Sequence, residues 1–312
     1  MKLLHAIEEL RAVPGPIHLA IGVFDGIHLG HQAVIATATE RAKAIGGASI
    51  VLTFHPHPSQ VLRPDRASRL LTSTQHKTHL IKRLGVDALL IQSFDLEFSH
   101  TTPDEFVALL VRNSDRLRTI CVGDGWMFGA NRTGNIDLLD ELSKQYGFEL
   151  HTIAPVEIDG AIVSSTRIRE AVERGDFATA ERLLGRPFTI LGTVDTGQQL
   201  GRQLGFPTAN LRAHNEQFPP NGVYAVVAWH ASRQFGGVVN IGVRPTIQAA
   251  TGERLLELHL FDFEQDIYGE DVEVQFLRFL RPEQKFADLD ALRQQIGKDV
   301  AVARQVYSKL PE

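Results

Sequence analysis

Only one cysteine occurs among the 312 residues, so the chain can form neither an internal disulfide nor a cysteine-rich metal site. No uninterrupted apolar run approaches the roughly 18–20 residues that are needed to cross a bilayer. Glu8, Glu9 and Arg11 occupy the region where an export signal requires an apolar stretch. We therefore expect a cytoplasmic protein with no membrane partner.

An excess of positive charge is also missing. The sequence has 32 Lys and Arg residues against 37 Asp and Glu residues, which gives a net charge of −5. Because proteins that bind duplex nucleic acid normally carry a basic patch, we expect no nucleic-acid partner. If the ligands carry phosphate groups, individual loops have to attract them, since the overall charge does not.

The first half of the sequence alternates between segments typical of strands and of helices. Because of their apolar patterns, we predict strands at 17–23, 48–54, 86–92, 118–123 and 148–154, and helices near 30–45, 74–84, 103–113 and 135–146. This alternation predicts an α/β domain with a parallel sheet and helices on both faces. Ligands of such sheets bind beyond the carboxyl ends of the strands.

Beyond residue 185 the sequence changes to short β-rich segments separated by Gly, Pro and Asn. These segments are 188–195, 222–230, 235–242, 254–263 and 271–280, and a helix from about Asp288 to Tyr307 follows them. Their spacing predicts a small all-β antiparallel barrel with a terminal helix. We therefore predict two domains, residues 1–185 and 186–312.

The most informative motif is GVFDGIHLGH at residues 22–31, which follows the first strand and runs into a helix. His28 and His31 are three residues apart, so at a helix start they can point at one ligand. The helix N-terminus adds unpaired amides that suit a phosphate, and imidazoles can donate to phosphate oxygens as charge builds up during transfer. The alternative is two surface histidines at a helix cap. Three glycines, an aspartate and the strand-turn-helix context favour the functional interpretation.

Three further motifs follow predicted strands or begin a helix in this half. SSTRIR at 164–169 offers capping hydroxyls and two guanidinium groups that can grip phosphate, or it is an ordinary helix cap. TFHPHP at 53–58 is held extended by its X-Pro bonds and forms either a wall of a second-substrate pocket or a rigid turn. VGDGWMFG at 122–129 offers aromatic faces that can stack on a base or a flavin ring, or that pack in the core.

The second half contains a glycine-rich stretch, GTVDTGQQLGRQLGFPTANL, at residues 192–211. In an extended segment Thr208 and Asn210 face the same side, and both offer the neutral oxygens that Mg²⁺ accepts beside substrate phosphates. In LLELHLFDF, period-two alternation places Glu257 and His259 on one face. Glu257 could accept a proton from an attacking hydroxyl, although spacing alone favours a solvent-facing position.

Taken together, these motifs resemble a known enzyme family. GVFDGIHLGH and SSTRIR are similar to motifs of the HxGH nucleotidyltransferases, and nearly the whole chain resembles the bacterial bifunctional riboflavin kinase/FMN adenylyltransferases, or FAD synthetases. TFHPHP also matches that family, and the second half matches through GRQLGFPTAN, NGVYAVV, GVVNIGVRPT, LELHLFDF, DIYGEDVEVQFLRFLR and QQIGKD. The resemblance implies a Rossmann-like N-terminal domain and a C-terminal riboflavin kinase barrel. It also implies that ATP phosphorylates riboflavin to FMN and then adenylylates FMN to FAD, releasing pyrophosphate, with Mg²⁺ as cofactor.

The resemblance further implies a role for individual residues. In the adenylyltransferase the catalytic residues would be His28, His31 and Arg169, and ATP would contact Gly22, Phe24, Asp25, Gly30, Ser165, Thr166 and Arg167. In the kinase Glu257 would be the base, ATP would contact Gly197, Gly201, Arg202, Gly205, Pro207, Thr208 and Asn210, and the last two would bind Mg²⁺. The flavin would contact His57, Pro58, Asp124, Trp126, Phe128, Arg244 and Arg281.

One position departs from the family pattern. Gly125 stands where the family usually carries Asp or Asn before an aromatic residue, and Asp124 lies one place earlier. The alternatives are therefore a riboflavin kinase with an impaired adenylyltransferase module, and a non-catalytic flavin-binding protein. The sequence leaves open whether the chain forms a homo-oligomer.

Overall fold

A computed structural model of the chain describes residues 1–114, 116–196, 205–243 and 254–310. The chain folds into two compact units, one formed by residues 1–70 with 74–165 and the other by residues 71–73 with the chain from residue 166 onward. The domain boundary at residue 185 stays a prediction. In the part of the chain that the structure describes, no helix combines the length and the apolar character needed to span a bilayer.

The first unit is built on a parallel sheet with the strand order β1-β4-β3-β2-β5-β6. Its strands are β1 (Lys2–Leu4), β2 (Ile17–Ile21), β3 (Ala48–His55), β4 (Ala88–Ser93), β5 (Leu117–Gly123) and β6 (Glu149–Ile153). Its helices are α1 (Leu29–Ile45), α2 (Pro58–Leu62), α3 (Thr74–Arg83), α4 (Pro103–Arg112) and α5 (Ile136–Tyr146). The predicted α/β architecture with a parallel sheet is confirmed.

Both faces of this sheet are covered by apolar side chains. Leu19 and Leu52 belong to one buried cluster, while their strand neighbours Ala20 and Val51 belong to a second cluster with residues of α1 and α3. Because successive strand residues point to opposite faces, a strand buried on both sides reads as a continuous apolar run. The strand order reverses between β2 and β5, so the loop after β2 lies at the switch point where such sheets bind ligands.

Short elements of the first unit differ from the sequence prediction. Strand β1 extends the sheet beside β4, and a small hairpin pairs β7 (Glu157–Ile158) with β8 (Ala161–Ile162). The TFHPHP segment is extended only through His55, where β3 ends, because the chain bends at Pro56 and Pro58 begins the short helix α2. Proline suits the first position of a helix, where its missing N–H has no partner to lose.

The second unit contains a closed antiparallel barrel with the strand order β10-β13-β12-β11-β14-β9. Its elements are α6 (Ser165–Glu173, of which Ser165 belongs to the first unit), α7 (Phe177–Leu184), β9 (Thr189–Asp195), β10 (Ala209–Ala213), β11 (Gly222–His230), β12 (Arg233–Val243), β13 (Arg254–Leu260), β14 (Asp271–Arg281) and α8 (Leu289–Tyr307). The predicted all-β barrel with a terminal helix is confirmed. Strand β10, which the sequence did not predict as a separate strand, closes the barrel between β9 and β13.

Burial alternates along the barrel strands. In β13, Leu256 and Leu258 are buried, whereas Glu257 and His259 between and after them stay partly exposed. On the outer side, Val223 and Phe261 pack with Ala303 of α8. The barrel therefore places Glu257 on the face opposite to its leucine-filled interior.

Candidate active sites

The GVFDGIHLGH loop leaves the sheet at the end of β2, where the N–H of Gly22 donates to the carbonyl of Leu52 at 3.1 Å. His28 has an extended backbone and caps α1, since its Nδ1 accepts a hydrogen bond from the N–H of His31 at 3.3 Å. His28 can therefore cap the helix and also bind a ligand, because Nδ1 makes the cap and Nε2 is a separate atom.

The two histidines of this loop form one stacked pair. The ring centroids of His28 and His31 are 3.5 Å apart and the rings are inclined by 19°. The ring of Phe24 meets that of His31 edge-on at 5.3 Å. Burial lowers the pKa of His31 well below its usual range, and the charges of His28 and Lys77 act in the same direction. His31 is therefore neutral near pH 7, and a neutral imidazole still has one N–H to donate.

The two outer glycines of the motif leave room for these rings. A Cβ atom at Gly30 would lie 3.2 Å from Cε1 of His28, and one at Gly22 would lie 3.0 Å from the ring of Phe24. Both distances are tighter than ordinary van der Waals contacts. The glycines predicted from the sequence as ATP-binding residues thus let the backbone lie directly beside the aromatic side chains.

Side chains from elsewhere in the first unit hold the carbonyl groups of the loop. Oγ of Ser165 donates to the carbonyl of Asp25 at 2.9 Å. Nε2 of Gln32 donates to the carbonyl of Ile27 at 2.8 Å. Ser165 therefore contacts the histidine loop, as the sequence analysis expected of a residue in the same site, and Asp25 itself is buried.

A third carbonyl, that of Val23, accepts two hydrogen bonds. Nζ of Lys77 donates to it at 2.6 Å, and Oγ1 of Thr53 donates to it at 2.9 Å. Lys77 is buried although it lies in the polar helix segment TQHKTHL, and the sequence analysis did not single it out. A lysine in a mostly polar helix carries no pattern that distinguishes a buried position from an exposed one.

The other residues predicted for the triphosphate begin α6. Thr166 is exposed, and Arg167 and Arg169 are partly buried on either side of the buried Ile168. These three belong to the second compact unit. Their contact with ATP stays a prediction.

An aromatic cleft opens beyond the carboxyl ends of β3, β4 and β5, with a volume of about 760 Å³. Drug-sized ligands typically occupy cavities of about 300–1,000 Å³. The rings of Trp126 and Phe128 are stacked with centroids 4.5 Å apart and an inclination of 7°. The aromatic lining residues are Phe54, Phe94, Phe98, Phe106, Trp126 and Phe128, and the basic ones are Arg63, His100 and Arg132. The cleft can accept a flat ring system with an anionic substituent.

The residues predicted for the flavin lie at different places around this cleft. Pro58, Trp126 and Phe128 line it. His57 caps α2, where its Nδ1 accepts from the N–H of Ser59 at 3.1 Å. Asp124 is exposed in the turn after β5, whereas its neighbour Gly125 does line the cleft. A Cβ atom at Gly125 would meet no heavy atom within 4 Å, so the departure from the family pattern leaves space rather than a clash.

On the barrel, strand register brings the predicted kinase residues together. Asn210 of β10 lies directly across from Glu257 of β13, and Asn240 of β12 lies across from Glu257 on the other side. Side chains of directly paired residues point to the same face with Cβ atoms about 4.5–5.5 Å apart. Glu257 therefore lies between two amides. No sequence pattern points to Asn240, because only the pairing of β12 with β13 brings it beside the carboxylate.

The segment before β10 is anchored to β13. Nδ1 of His259 bonds to the carbonyl of Pro207 at 2.8 Å, and the ring of Phe206 meets that of His259 edge-on at 5.6 Å. Burial lowers the pKa of His259. Thr208 follows Pro207 and is exposed, and Gly205 adopts a φ of +83°. Four predicted contacts lie outside the described residues: the ATP contacts Gly197, Gly201 and Arg202 and the flavin contact Arg244.

Arg281, which the resemblance places beside the flavin, forms an ion pair in the structure. Its guanidinium lies 2.9 Å from Oδ2 of Asp299 on α8, and both side chains are largely buried. The guanidinium also lies over the ring of Phe286, at 5.6 Å from its centroid. These contacts connect β14 with the terminal helix. Contact of Arg281 with a flavin stays a prediction.

Two family models match the chain in the order that the sequence analysis expected. A model described as FAD synthetase matches residues 11–167, and one described as riboflavin kinase matches residues 184–307. The chain is 38% identical over 309 residues to the bifunctional riboflavin kinase/FMN adenylyltransferase of Haemophilus influenzae, covering 99% of this chain and 100% of that one. This chain belongs to the bifunctional riboflavin kinase/FMN adenylyltransferase family.

Other members of that family are similar over almost their whole length. The protein of the same description from Pseudomonas fluorescens is 41% identical over 97% of each chain, and that from Escherichia coli K12 is 37% identical over 98% of each chain. A crystal structure described as a macrolide-efflux protein from Streptococcus pneumoniae is 30% identical, with a TM-score of 0.81, and covers 97% of this chain and 99% of that chain. The relative and this chain therefore share both units of the fold.

Proposed function

We propose that this chain makes FMN from riboflavin and then FAD from FMN, with ATP as the co-substrate of both steps. The observation that carries the proposal is the pairing of Asn210 with Glu257 on the barrel, together with the stacked pair His28 and His31 on the parallel sheet. His28 and His31 belong to one motif of the family, whereas Asn210 and Glu257 belong to two different motifs that strand pairing brings together. Each pair combines groups that handle phosphate.

In the kinase step the primary hydroxyl of riboflavin attacks the γ-phosphorus of ATP, and ADP leaves. The carboxylate of Glu257 accepts the hydroxyl proton, and the amides of Asn210 and Asn240 beside it hold its orientation. Thr208 and Asn210 offer oxygen ligands of the kind that Mg²⁺ prefers, and the bound ion would neutralise phosphate charge. Substrate phosphates would complete this ligand set, since Mg²⁺ is usually bound by few protein groups together with phosphates and water.

In the adenylyltransferase step a phosphate oxygen of FMN attacks the α-phosphorus of ATP, and pyrophosphate leaves. The imidazoles of His28 and His31 donate hydrogen bonds to phosphate oxygens while negative charge develops on those oxygens. The amides at the start of α1 add partial positive charge at the same place. Arg167 and Arg169 are proposed to bind triphosphate through their guanidinium groups.

The aromatic cleft of the first unit is proposed to hold the flavin of FMN. The parallel rings of Trp126 and Phe128 offer a stacking surface, and Arg63 and Arg132 in the lining attract the phosphate. Proximity to the loop after β2 supports this assignment, since Val23 of that loop also lines the cleft.

Gly125 supports a second candidate, a kinase whose adenylyltransferase module is impaired. Glycine offers no side-chain donor or acceptor where the family usually carries one, and the space beside it is empty. In that case riboflavin would be converted to FMN without further conversion to FAD.

One incubation separates these candidates. The purified chain is supplied with riboflavin, excess ATP and Mg²⁺, and the flavins are resolved by chromatography over time. The proposal predicts that FMN forms first and FAD follows. FMN without FAD would support the impaired module, and neither product would support a non-catalytic flavin-binding protein.

A further inference from the structure

Lys77 is a buried charged residue next to the histidine loop that the reaction described above does not use. Its side chain reaches from α3 to the carbonyl of Val23 at 2.6 Å, and Oγ1 of Thr53 lies 3.4 Å from its Nζ. Only 6% of Lys77 is exposed, so its ammonium group has little access to water. A buried lysine is costly unless its surroundings hold it, which suggests a role beyond packing.

The loop that Lys77 contacts has an unusual backbone. Phe24 and Ile27 are buried non-glycine residues with φ values of 52° and 45°. Residues held in this region cost of the order of 1–3 kcal/mol each and persist only where the surrounding structure fixes them. Phe24 follows Val23 directly, so the hydrogen bonds to the Val23 carbonyl fix the peptide at which the unusual conformation begins.

The charge of Lys77 also acts on titratable residues of the GVFDGIHLGH motif. Asp25, buried in the same loop, interacts with the lysine electrostatically, and so does His31 of α1. The ammonium group is thus buried against the same loop that is proposed to bind the triphosphate. In a region of low dielectric constant, a fixed positive charge stabilises negative charge that develops nearby.

We propose that Lys77 is a positioning residue of the adenylyltransferase site, which fixes the histidine loop through the Val23 carbonyl and places a positive charge behind it. This inference rests on the proposed function, because it assumes that the loop binds ATP. The residue acts on the nucleotide through the loop, so its loss changes the binding of ATP and the rate of adenylyl transfer more than the binding of FMN, although Val23 also lines the aromatic cleft.

The test compares Lys77→Met and Lys77→Arg with the matched control Lys82→Met, whose side chain is exposed on the same helix. Methionine keeps the length of the side chain without its charge or donors, and arginine keeps both. FAD formation is measured from FMN and ATP, and FMN formation from riboflavin and ATP in the same samples. We expect Lys77→Met to lower kcat/KM for ATP in FAD formation by about 10–10²-fold, as a misplaced site does.

The remaining readouts separate positioning from general folding. In Lys77→Met we expect the KM for FMN to change less than the KM for ATP, because Val23 is only one of the residues that line the cleft, and the rate of FMN formation should stay at the wild-type value. All constants of Lys82→Met should stay at the wild-type values, and Lys77→Arg should regain most of the lost activity. Partial unfolding would lower kcat without changing the KM for ATP and without rescue by arginine. Such a result, or full FAD formation by Lys77→Met, would overturn the proposal. If the wild-type chain forms no FAD, the proposed function fails instead.

If Lys77→Met does not fold, the variant Thr53→Val tests the proposal instead. Thr53→Val keeps the shape of the side chain and removes the second hydrogen bond to the Val23 carbonyl, together with the 3.4 Å hydrogen bond that Oγ1 accepts from Nζ of Lys77. The proposal predicts a higher KM for ATP and a lower kcat in FAD formation, with unchanged FMN formation. Wild-type constants in a folded Thr53→Val protein would contradict the role of the Val23 carbonyl.

Discussion

His28 caps helix α1 through its Nδ1 atom, and its ring stacks on that of His31 at a centroid distance of 3.5 Å. One residue thus orders the start of the helix and also presents an imidazole at the proposed phosphate site. The two roles can be separated, because asparagine caps helices as well but has no ring.

The first prediction uses this separation. His28→Asn keeps a capping acceptor and His28→Ala does not, whereas both lose the imidazole. We expect both variants to lose about 10²–10³-fold in the rate of FAD formation, and only His28→Ala to lose about 1 kcal/mol of stability in the first unit. FMN formation, measured in the same samples, serves as the control and should not change. If His28→Asn forms FAD at the wild-type rate, the histidine is a cap and not part of the reaction.

A second prediction concerns the base of the kinase. Glu257→Gln keeps the shape of the side chain but cannot accept the proton, so FMN formation should fall by about 10²–10⁴-fold. The rate of FAD formation from supplied FMN should stay the same. Glu264→Gln, at an exposed position after β13, provides the matched control. Equal loss of both activities would contradict the assignment of Glu257 to the barrel reaction alone.

The third prediction tests the aromatic cleft. Trp126→Leu removes the stacking surface while keeping an apolar side chain, so the KM for FMN in FAD formation should rise by up to about tenfold. Gly125→Asn should lower that KM, because a side chain at this position has room and adds polar groups. The KM of the kinase for riboflavin serves as control for both variants. An unchanged KM for FMN in Trp126→Leu would show that the flavin binds elsewhere.

A fourth prediction follows from the charge on Lys77. Burial lowers its pKa to about 8, and the negative charge of Asp25 opposes this effect. The ammonium form exists below this pH and is lost above it, so kcat/KM for FAD formation should fall as the pH rises through about 8. Asp25 and His31 are the titratable groups that interact with Lys77, and His31 is already neutral in this range.

The arginine variant checks this assignment, because arginine stays charged throughout the range. In Lys77→Arg the fall of FAD formation above pH 8 should disappear, whereas the pH profile of FMN formation should match that of the wild type. A fall of equal size in Lys77→Arg would assign the titration to another group.

The fifth prediction concerns the ion pair between Arg281 and Asp299. Both side chains are largely buried, so Asp299→Leu leaves a buried charge without its partner and should cost about 3–5 kcal/mol in the stability of the second unit. The double variant Arg281→Met/Asp299→Leu removes both charges and should regain much of this loss. Denaturant unfolding of both variants measures the difference. If the double variant raises the KM for riboflavin and Asp299→Leu does not, Arg281 also binds the flavin, as the resemblance implies.

Local signals made much of this account predictable from the sequence. His28 and His31 lie within one ten-residue motif, and the alternation around Glu257 fixed its face of the strand. Lys77 and Asn240 had no such signal, because their neighbours in space are distant along the chain. Lys77 and Val23, for example, are 54 residues apart. The prediction of an extended TFHPHP loop was right only up to His55, since the chain bends at Pro56 and Pro58 fits the first position of a helix as well as it fits an extended turn.

Two single variants show whether the two proposed ATP-dependent sites work separately. Wild type, His28→Asn and Glu257→Gln are each incubated with riboflavin, ATP and Mg²⁺, and again with FMN and ATP, and the flavins are quantified by chromatography. We expect the wild type to make FMN and FAD, His28→Asn to stop at FMN, and Glu257→Gln to make FAD only when FMN is supplied. Loss of both products in either variant, with the fold intact, would contradict the separation of the two sites.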